Sequence, residues 1–413
     1  MTASSRRVSP PDLQNPPDSA DPMNPANPVK KTRQVVIGGT GGVNKVLIGG
    51  GAPVSIQTMW KEPLTPECLS GKRGRETLRR IEALSALGCD ILRFAVPSVE
   101  DAETLGRLSA MCSMPLVADI HFDYKTALRV LDFPIAKIRI NPGNIGGKER
   151  ALKVIAKARD KGAAIRIGVN GGSLPHDLRD ELAAGKLNPE DAIVRAAERE
   201  LAFFNEAGFE DALVSMKISS VGKTIAAARA FAAKHDVPLH IGVTEAGPLI
   251  AGVVRNTAAL YSLLLDGIGD TVRVSLSDTM EREVIAAREI LLAAGENAAS
   301  GRFAFARGVR IISCPRCGRC VFDTHAFTDR WQERLYSLNK DITVAVMGCP
   351  VNGPEEARAA DIGITGAGNK ILIFKHGCIS RRLDIPDEAR AAGIADRAFQ
   401  EELENCGGEL GGA

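Results

Sequence analysis

Aromatic side chains are scarce, only 4% of the 413 residues. So few ring faces argue against a surface that stacks nucleic-acid bases, and they leave Ala, Val, Leu and Ile to fill the core. Net charge is nearly absent as well, formally +2. No whole-chain field draws nucleic acid or a membrane, and an anionic ligand has to be met by local cations. No apolar run is long enough to span a bilayer, and the opening residues lack the apolar core of a signal peptide. Nine cysteines without a secretory signal fit a reducing compartment, where thiols bind metal rather than pair. The expected location is the cytoplasm, with neither nucleic acid nor membrane as partner.

What is present divides into four parts. Residues 1–32 are rich in Pro, Asn, Asp and Ser, cannot bury enough surface to offset their ordering entropy, and read as a disordered leader. Residues 33–296 alternate β-rich runs with Ala/Leu/Arg-rich segments of helical spacing, such as Arg75–Leu87 and Glu190–Ala207. The runs are Val54–Gln57, Ile91–Val96, Leu116–Ile120, Ala136–Ile140, Ile165–Val169, Leu213–Lys217, Leu239–Val243 and Thr271–Leu276. Strand–helix repeats imply a parallel sheet, and eight over ~250 residues match a (β/α)8 TIM barrel, with a doubly wound open sheet as the alternative. Residues 297–405 change texture and read as a smaller α/β domain, with a helix at Asp329–Leu338 and strands at Ile342–Val346 and Ile371–Lys375. Residues 406–413 read as a flexible tail.

The ends of the predicted strands carry Arg93, Arg139, Arg166, Lys217 and Arg273, the carboxylates Asp119 and Glu245, and His121. Asn141, Asn144, Asn170, Thr244 and Ser275 accompany them. Arginine inside a parallel strand is costly, because both faces of such strands are normally buried. Side chains alternate along a strand, so Arg139 shares a face with Asn141, and Arg273 with Ser275. Five converging cations predict an anionic ligand with several phosphoryl oxygens in the barrel mouth, gripped by guanidinium forks and amide donors. Asp119 beside His121 is an acid–base pair, and Glu245 is another proton donor by type.

Beyond the barrel, Cys314-Pro315-Arg316-Cys317-Gly318-Arg319-Cys320 is answered by Met347-Gly348-Cys349-Pro350-Val351-Asn352-Gly353-Pro354-Glu355-Glu356. Thiols at Cys-x-x-Cys spacing on Pro/Gly-rich loops make a cradle for a 4Fe-4S cluster, or for zinc, since soft thiolates prefer both to hard cations. Cys314, Cys317 and Cys349 are three ligands. A fourth from Cys320 would close the cluster as an electron carrier, whereas a fourth from Glu356 would leave one iron displaceable and open to substrate.

These blocks together resemble the 4-hydroxy-3-methylbut-2-enyl diphosphate synthase family, the iron-sulfur enzymes of the methylerythritol phosphate route to isoprenoids. The likeness runs from about residue 33 to residue 374. It rests on Val117-Ala118-Asp119-Ile120-His121-Phe122-Asp123, Arg139-Ile140-Asn141-Pro142-Gly143-Asn144, Arg166-Ile167-Gly168-Val169-Asn170, Gly242-Val243-Thr244-Glu245-Ala246-Gly247 and the cysteine blocks. The resemblance implies a barrel followed by a cluster domain in the short bacterial arrangement. It also implies a homodimer in which the cluster domain of one subunit closes over the barrel of the other. The implied reaction is two-electron reductive ring opening, with loss of water, of 2-C-methyl-D-erythritol 2,4-cyclodiphosphate, with flavodoxin or ferredoxin as donor. By motif position, Cys314, Cys317, Cys349 and Glu356 match the family's cluster ligands. Arg139, Asn141, Arg166, Asn170, Lys217, Arg273 and Ser275 match its diphosphate-binding residues, and Arg93, Asp119, His121 and Glu245 its further pocket residues. Departures are Gln57-Thr58-Met59-Trp60 in the first strand–helix loop, Glu355 where the family has Gly, and the additional thiol Cys320. Two other readings are a pterin-binding barrel of the dihydropteroate synthase type, which leaves the cysteines without a task, and a cluster or zinc sensor.

Overall fold

The computed structural model describes residues 31–297, 308–338, 340–350, 357–385 and 388–406. Glu355 and Glu356, the leader up to residue 30 and the tail after Cys406 lie outside the described residues.

The chain opens with a two-stranded antiparallel hairpin, β1 (Val35–Ile37) and β2 (Val46–Ile48). Eight strand–helix units follow: β3 (Ser55–Met59), α1 (Gly71–Ala86), β4 (Ile91–Ala95), α2 (Val99–Ser109), β5 (Leu116–Asp119), α3 (Tyr124–Val130), β6 (Lys137–Ile140) and α4 (Lys148–Lys161) make the first four. The others are β7 (Ala164–Asn170) with α5 (His176–Ala183) and α6 (Pro189–Glu206), β8 (Ala212–Lys217) with α7 (Val221–Ala232), β9 (His240–Ile241) with α8 (Leu249–Leu265), and β10 (Thr271–Val272) with α9 (Met280–Asn297).

The strands run parallel in the order β8-β7-β6-β5-β4-β3-β10-β9. A parallel bridge between Val214 and Leu239, with Val214 N–H donating to the Pro238 carbonyl at 3.0 Å, joins the two ends. That closure answers the open-sheet alternative: the sheet is a TIM barrel. Outward residues such as Leu92, Phe94, Leu116, Ala118, Ile138 and Ile165 pack beneath the helices in one large apolar core, which leaves the inward positions free to be polar.

Two strands are shorter than the sequence predicts. β9 stops at Ile241 because the next backbone donor, Val243 N–H, is taken by Asn256 Oδ1 (3.3 Å). Past β10, Leu276 N–H goes to Glu283 Oε1 (2.9 Å) rather than to a neighbouring strand.

The hairpin is not anticipated by the sequence reading, since its three-residue strands sit in a Gly-rich stretch that reads as loop. Val35, Ile37, Val43 and Ile48 pack against Ile91, Val117, Ala136, Ala164 and Leu213, near the strand beginnings. The hairpin therefore stoppers the N-terminal end of the barrel, and the C-terminal end is the open mouth.

The second unit is a five-stranded sheet, β11 (Arg310–Ser313), β12 (Thr343–Met347), β13 (Ile362–Ala367), β14 (Lys370–Lys375) and β15 (Cys378–Asp384), in sequential order. The first three are parallel and the last two antiparallel. Helices α10 (Thr324–Tyr336) and α11 (Glu388–Asn405) accompany it. Phe327, Trp331, Leu335 and Phe399 pack with Val344, Ile364 and Ile373 as its core. Asp323 starts α10 by accepting from Ala326 N–H at 3.1 Å, so the helix begins earlier than the predicted Asp329. Strands β12 and β14 are those expected; β11, β13, β15 and α11 are additional. Where the units meet, Arg288 of α9, buried, donates to the carbonyls of Tyr336 (2.8 Å) and Leu87 (3.5 Å), and Tyr336 packs into the barrel-side core.

Candidate functional site

Barrel interiors fill in layers of four side chains from alternate strands. Here the pairing registers place Arg93, Arg139, Ser215 and Arg273 at one level. The layer above is Met59, Asp119, Gly168 and Gly242, and above that come Ala95, Asn141, Lys217 and Ser275 at the mouth. Arg166 lies in the layer below. Arg93, Arg139, Arg166, Asn170 and Lys217 face the same lumen from inward positions of one closed ladder, and Asn141, Arg273 and Ser275 follow in phase just past the ends of β6 and β10.

Arg93, Asp119, Arg139, Asn141, Arg166 and Lys217 are buried. Asp119 is the shared counter-charge: its carboxylate lies 3.2 Å from Arg139 Nη1 and 3.6 Å from Arg93 Nε, and 3.7 Å from His121 Nε2. Burial alone pushes its pKa up, but the His121 hydrogen bond and the charges of Arg93, Arg139 and Arg166 outweigh burial and hold it well below the usual carboxylate range. Arg139 also meets His121 Nε2 at 3.0 Å and donates to the Gly168 carbonyl at 3.3 Å. With its amide oriented to suit its neighbours, Asn170 accepts from Arg139 Nη2 at 3.3 Å. Gly168 is required here: a Cβ on it would lie 2.1 Å from Arg139 Nε.

Arg166 donates to Ser215 Oγ at 3.3 Å, and Arg93 approaches Met59 Sδ at 3.0 Å. Burial, reinforced by the neighbouring cations, lowers the affinity of Arg166 and Lys217 for their protons and draws Arg93 down to about 10, the Asp119 charge opposing that last shift. Five cations against Asp119, and Glu283 behind Arg273, make a strongly electropositive cup. Its unbalanced charge is best relieved by a polyanion entering from the mouth.

His121 is half exposed at the rim, beside the exposed ring of Phe122. Glu245 is exposed, takes a left-handed backbone (φ 53°) and accepts from Ser219 Oγ at 3.3 Å. A non-Gly residue in that region costs energy and is concentrated at functional sites. Ser275 and Arg273 are partly buried at the mouth. Trp60, one of the sequence departures, does not enter the lumen: it stacks on Phe94 (5.4 Å between centroids) behind the barrel wall, with Arg80 over its ring.

Glu283 of α9 was missed by the sequence reading. Almost fully buried, it accepts from Thr58 Oγ1 (2.6 Å) and Lys61 Nζ (2.9 Å) and faces Arg273 Nη2 at 3.7 Å, so it steers Arg273 from behind. The signal was weak, since an acid in the first turn of a helix usually just complements the dipole.

The cysteines occupy two loops at the C-terminal ends of neighbouring parallel strands. Ser313 of β11 pairs with Val346 of β12, so Cys314 and Gly348-Cys349 leave the sheet side by side. Cys314 N–H donates to the Val346 carbonyl (2.9 Å) and Val321 N–H to the Gly348 carbonyl (2.8 Å), lacing the loops together. A Cβ on Gly348 would stand 2.7 Å from Cys320 Sγ and 3.5 Å from Cys314 Sγ, so both sulfurs crowd the glycine next to Cys349. Cys320 Sγ also donates to the Phe322 carbonyl at 2.9 Å. Cys317 is exposed and Cys349 buried, and all nine cysteines are free thiols. Among the described residues no three His, Cys, Asp or Glu side chains gather tightly enough for a single ion. A soft-donor set on two laced loops, with a glycine clearing space between sulfurs, nonetheless fits a thiolate-held cluster, whose ligands stand farther apart.

Comparison with known proteins gives two family matches, the GcpE TIM-barrel domain over residues 33–288 and the GcpE protein C-terminal domain over residues 310–394. A 4-hydroxy-3-methylbut-2-en-1-yl diphosphate synthase (flavodoxin) of Treponema denticola is 50% identical over 396 residues, 91% of this chain and 99% of that protein. The protein of the same name from Treponema pallidum is 50% identical over 382 residues, 90% and 91% of the two chains. Among solved structures, a dihydropteroate synthase of Thermus thermophilus aligns with 64% of this chain and 97% of its own at 18% identity and a TM-score of 0.40, too slight a likeness to carry an argument.

Proposed function

The chain belongs to the GcpE family, and from that premise we propose which of its residues carry the family's reaction. The protein is a flavodoxin-linked 4-hydroxy-3-methylbut-2-en-1-yl diphosphate synthase, as its relatives are named. It is an oxidoreductase that opens the ring of 2-C-methyl-D-erythritol 2,4-cyclodiphosphate by two-electron reduction with loss of water. The observation that carries the assignment of residues is the cup of Arg93, Arg139, Arg166, Lys217 and Arg273, with Asp119 among them and Glu283 behind Arg273.

Arg139, Arg166, Lys217 and Arg273 grip the diphosphate, with Asn141, Asn170 and Ser275 as neutral donors, and Arg93 supports the ring beside Asp119. Their charge offsets that of the phosphates and favours electron arrival at a substrate otherwise too negative. Asp119 stays ionised and orients Arg139 and His121. Proton delivery to the leaving hydroxyl then falls to His121 beside Asp119, to Glu245, or to Glu356. Cys314, Cys317 and Cys349 would hold a 4Fe-4S cluster with Glu356 on its fourth iron, and that cluster would supply low-potential electrons and a Lewis-acidic iron.

Oligomeric state belongs to the same proposal. Ile250 is 80% and Val254 62% exposed, one turn apart on α8, the kind of apolar face a homodimer covers. Flavodoxin is the donor that the relatives' names support; ferredoxin is the alternative carrier. No described helix is long and apolar enough to cross a membrane, and nine free thiols suit the cytoplasm.

The test is anaerobic turnover of the cyclic diphosphate with reduced flavodoxin. Reconstituted protein should show both the brown cluster absorbance and product, and Cys349→Ser should lose both. Full activity in that variant would end the proposal.

A further inference from the structure

Beneath the cup, two interior layers contain polar groups of which only Arg166 is shared with the substrate site; the others serve neither that site nor the cluster. Gln57, Arg166 and His240 share one layer with Val117, and Lys137 and Thr271 lie in the next layer down. All five polar residues are buried, none more than 1% exposed. Lys137 Nζ, both ring nitrogens of His240, Gln57 Oε1 and Nε2, Thr271 Oγ1, and Nε and Nη2 of Arg166 have no hydrogen-bond partner. Buried polar groups are almost always satisfied, so eight orphan atoms around one axis mark an interior ligand. The residues are near neighbours electrostatically: Arg166 acts on Lys137, and both act on His240.

The charge identifies the ligand class. Lys137 and Arg166 bring two basic groups into these layers, each pushed by burial and by neighbouring cations toward losing its proton unless an anion holds it charged, and neither layer contains a carboxylate. Asp119, two layers above Arg166, is occupied by Arg93, Arg139 and His121. The hairpin stoppers the barrel below, so bulk solvent cannot screen them. Water would satisfy the donors but leave the charge uncompensated, and in a low-dielectric interior an uncompensated cation is the costlier defect. We propose that the barrel axis beneath the substrate cup holds a small monovalent anion of the halide class, bound by Lys137 Nζ and Arg166 with Gln57 Nε2, Thr271 Oγ1 and His240 as neutral donors. Arg166 stands between the two sites, its Nη1 turned up toward Ser215 and the cup, so the anion lies below the substrate on Lys137, Gln57, Thr271 and His240, groups the reaction assigned above does not use.

The expected role is structural. The anion fixes the underside of Arg166, whose upper nitrogen is already held by Ser215 (3.3 Å), and so presets the floor of the cup.

Two measurements test the site. Crystals of the full-length protein grown in sodium bromide should give an anomalous peak within hydrogen-bonding reach of Lys137 Nζ and Gln57 Nε2; no peak there overturns the proposal. At constant ionic strength, replacing sodium gluconate with sodium chloride should raise the thermal midpoint saturably. Lys137→Met, which removes the ammonium and keeps the bulk, should lose that halide-specific rise. An equal rise in Lys137→Met, or equal midpoints of the wild type in chloride and gluconate, also overturns it. Should Lys137→Met fail to fold, the bromide map and the wild-type salt comparison decide on their own.

Discussion

Asp119 is the residue on which the cup balances, and its titration is open to test. Its carboxyl is held below the ordinary value near 4 by His121, Arg93, Arg139 and Arg166 despite burial. A carboxylate whose native pKa is depressed contributes stability that is present above its unfolded pKa and is lost as pH falls toward its native pKa. The thermal midpoint should therefore drop between about pH 5 and pH 3 more steeply in the wild type than in Asp119→Asn, and equal slopes would show that the carboxylate is not held ionised. Turnover should be lost in the same variant, because Arg139 and His121 lose the group that aligns them. At the other centre, Gly348→Ala puts a methyl 2.7 Å from Cys320 Sγ. Iron content and turnover should fall at least about tenfold, for which a misfit of about 1.4 kcal/mol suffices. Cys320→Ala in the same background should restore iron loading. Rescue marks Cys320 as a neighbour of the cluster site, whereas failure of rescue makes it a ligand.

At the scale of elements, the hairpin shows what an inward pattern can and cannot reveal. Strands β3 to β8 are legible because their runs are largely apolar, and β4, β6 and β7 each carry one arginine, Arg93, Arg139 and Arg166, which a strand buried on both faces tolerates only where it lines a lumen. β9 and β10 are legible in place but not in length, since Asn256 and Glu283 divert the backbone donors that would have extended them. The hairpin and the strands β11, β13 and β15 escape because each draws its order from long-range packing. β15 is mostly exposed along its length, and β1 and β2 make sense only once five strand beginnings are gathered above them. The site follows the same rule. Charged residues on strands could be assigned, whereas Glu283 and Lys137 could not, because a helix-start acid and a strand-start lysine usually face water. Ile37, fully buried in the stopper, supplies the test. Ile37→Ala should cost about 2–5 kcal/mol in urea denaturation and leave turnover of the folded enzyme nearly unchanged, the hairpin lying at the end opposite the mouth. A loss below about 0.5 kcal/mol, the range of surface changes, would show that the barrel does not need it.

At the scale of the whole molecule, cup and cysteines have to serve one substrate. Within one chain the seen hydrogen bonds of Cys314 and Cys320 run to their own loops, to Val346, Cys317, Phe322 and Thr324, while the units meet at Arg288 and Tyr336. In the dimer proposed above, as the family resemblance implies, a partner subunit brings its cysteine loops to this mouth. Co-expressing two differently tagged variants decides the matter. Arg139→Ala spoils a cup, Cys349→Ser spoils a cluster, and each homodimer should be inactive. In a mixed dimer the intact cup of one chain meets the intact cysteines of the other, so an equal mixture should recover about a quarter of wild-type turnover, half the dimers being mixed and half their sites whole. If each chain served its own site, every site in the mixture would carry one defect and no turnover would return. The α8 face makes the same claim from the other direction: Ile250→Asp with Val254→Asp should halve the sedimenting mass, keep iron content, and abolish turnover. Monomers that remain active would show that one chain closes its own cysteine loops over its own arginines.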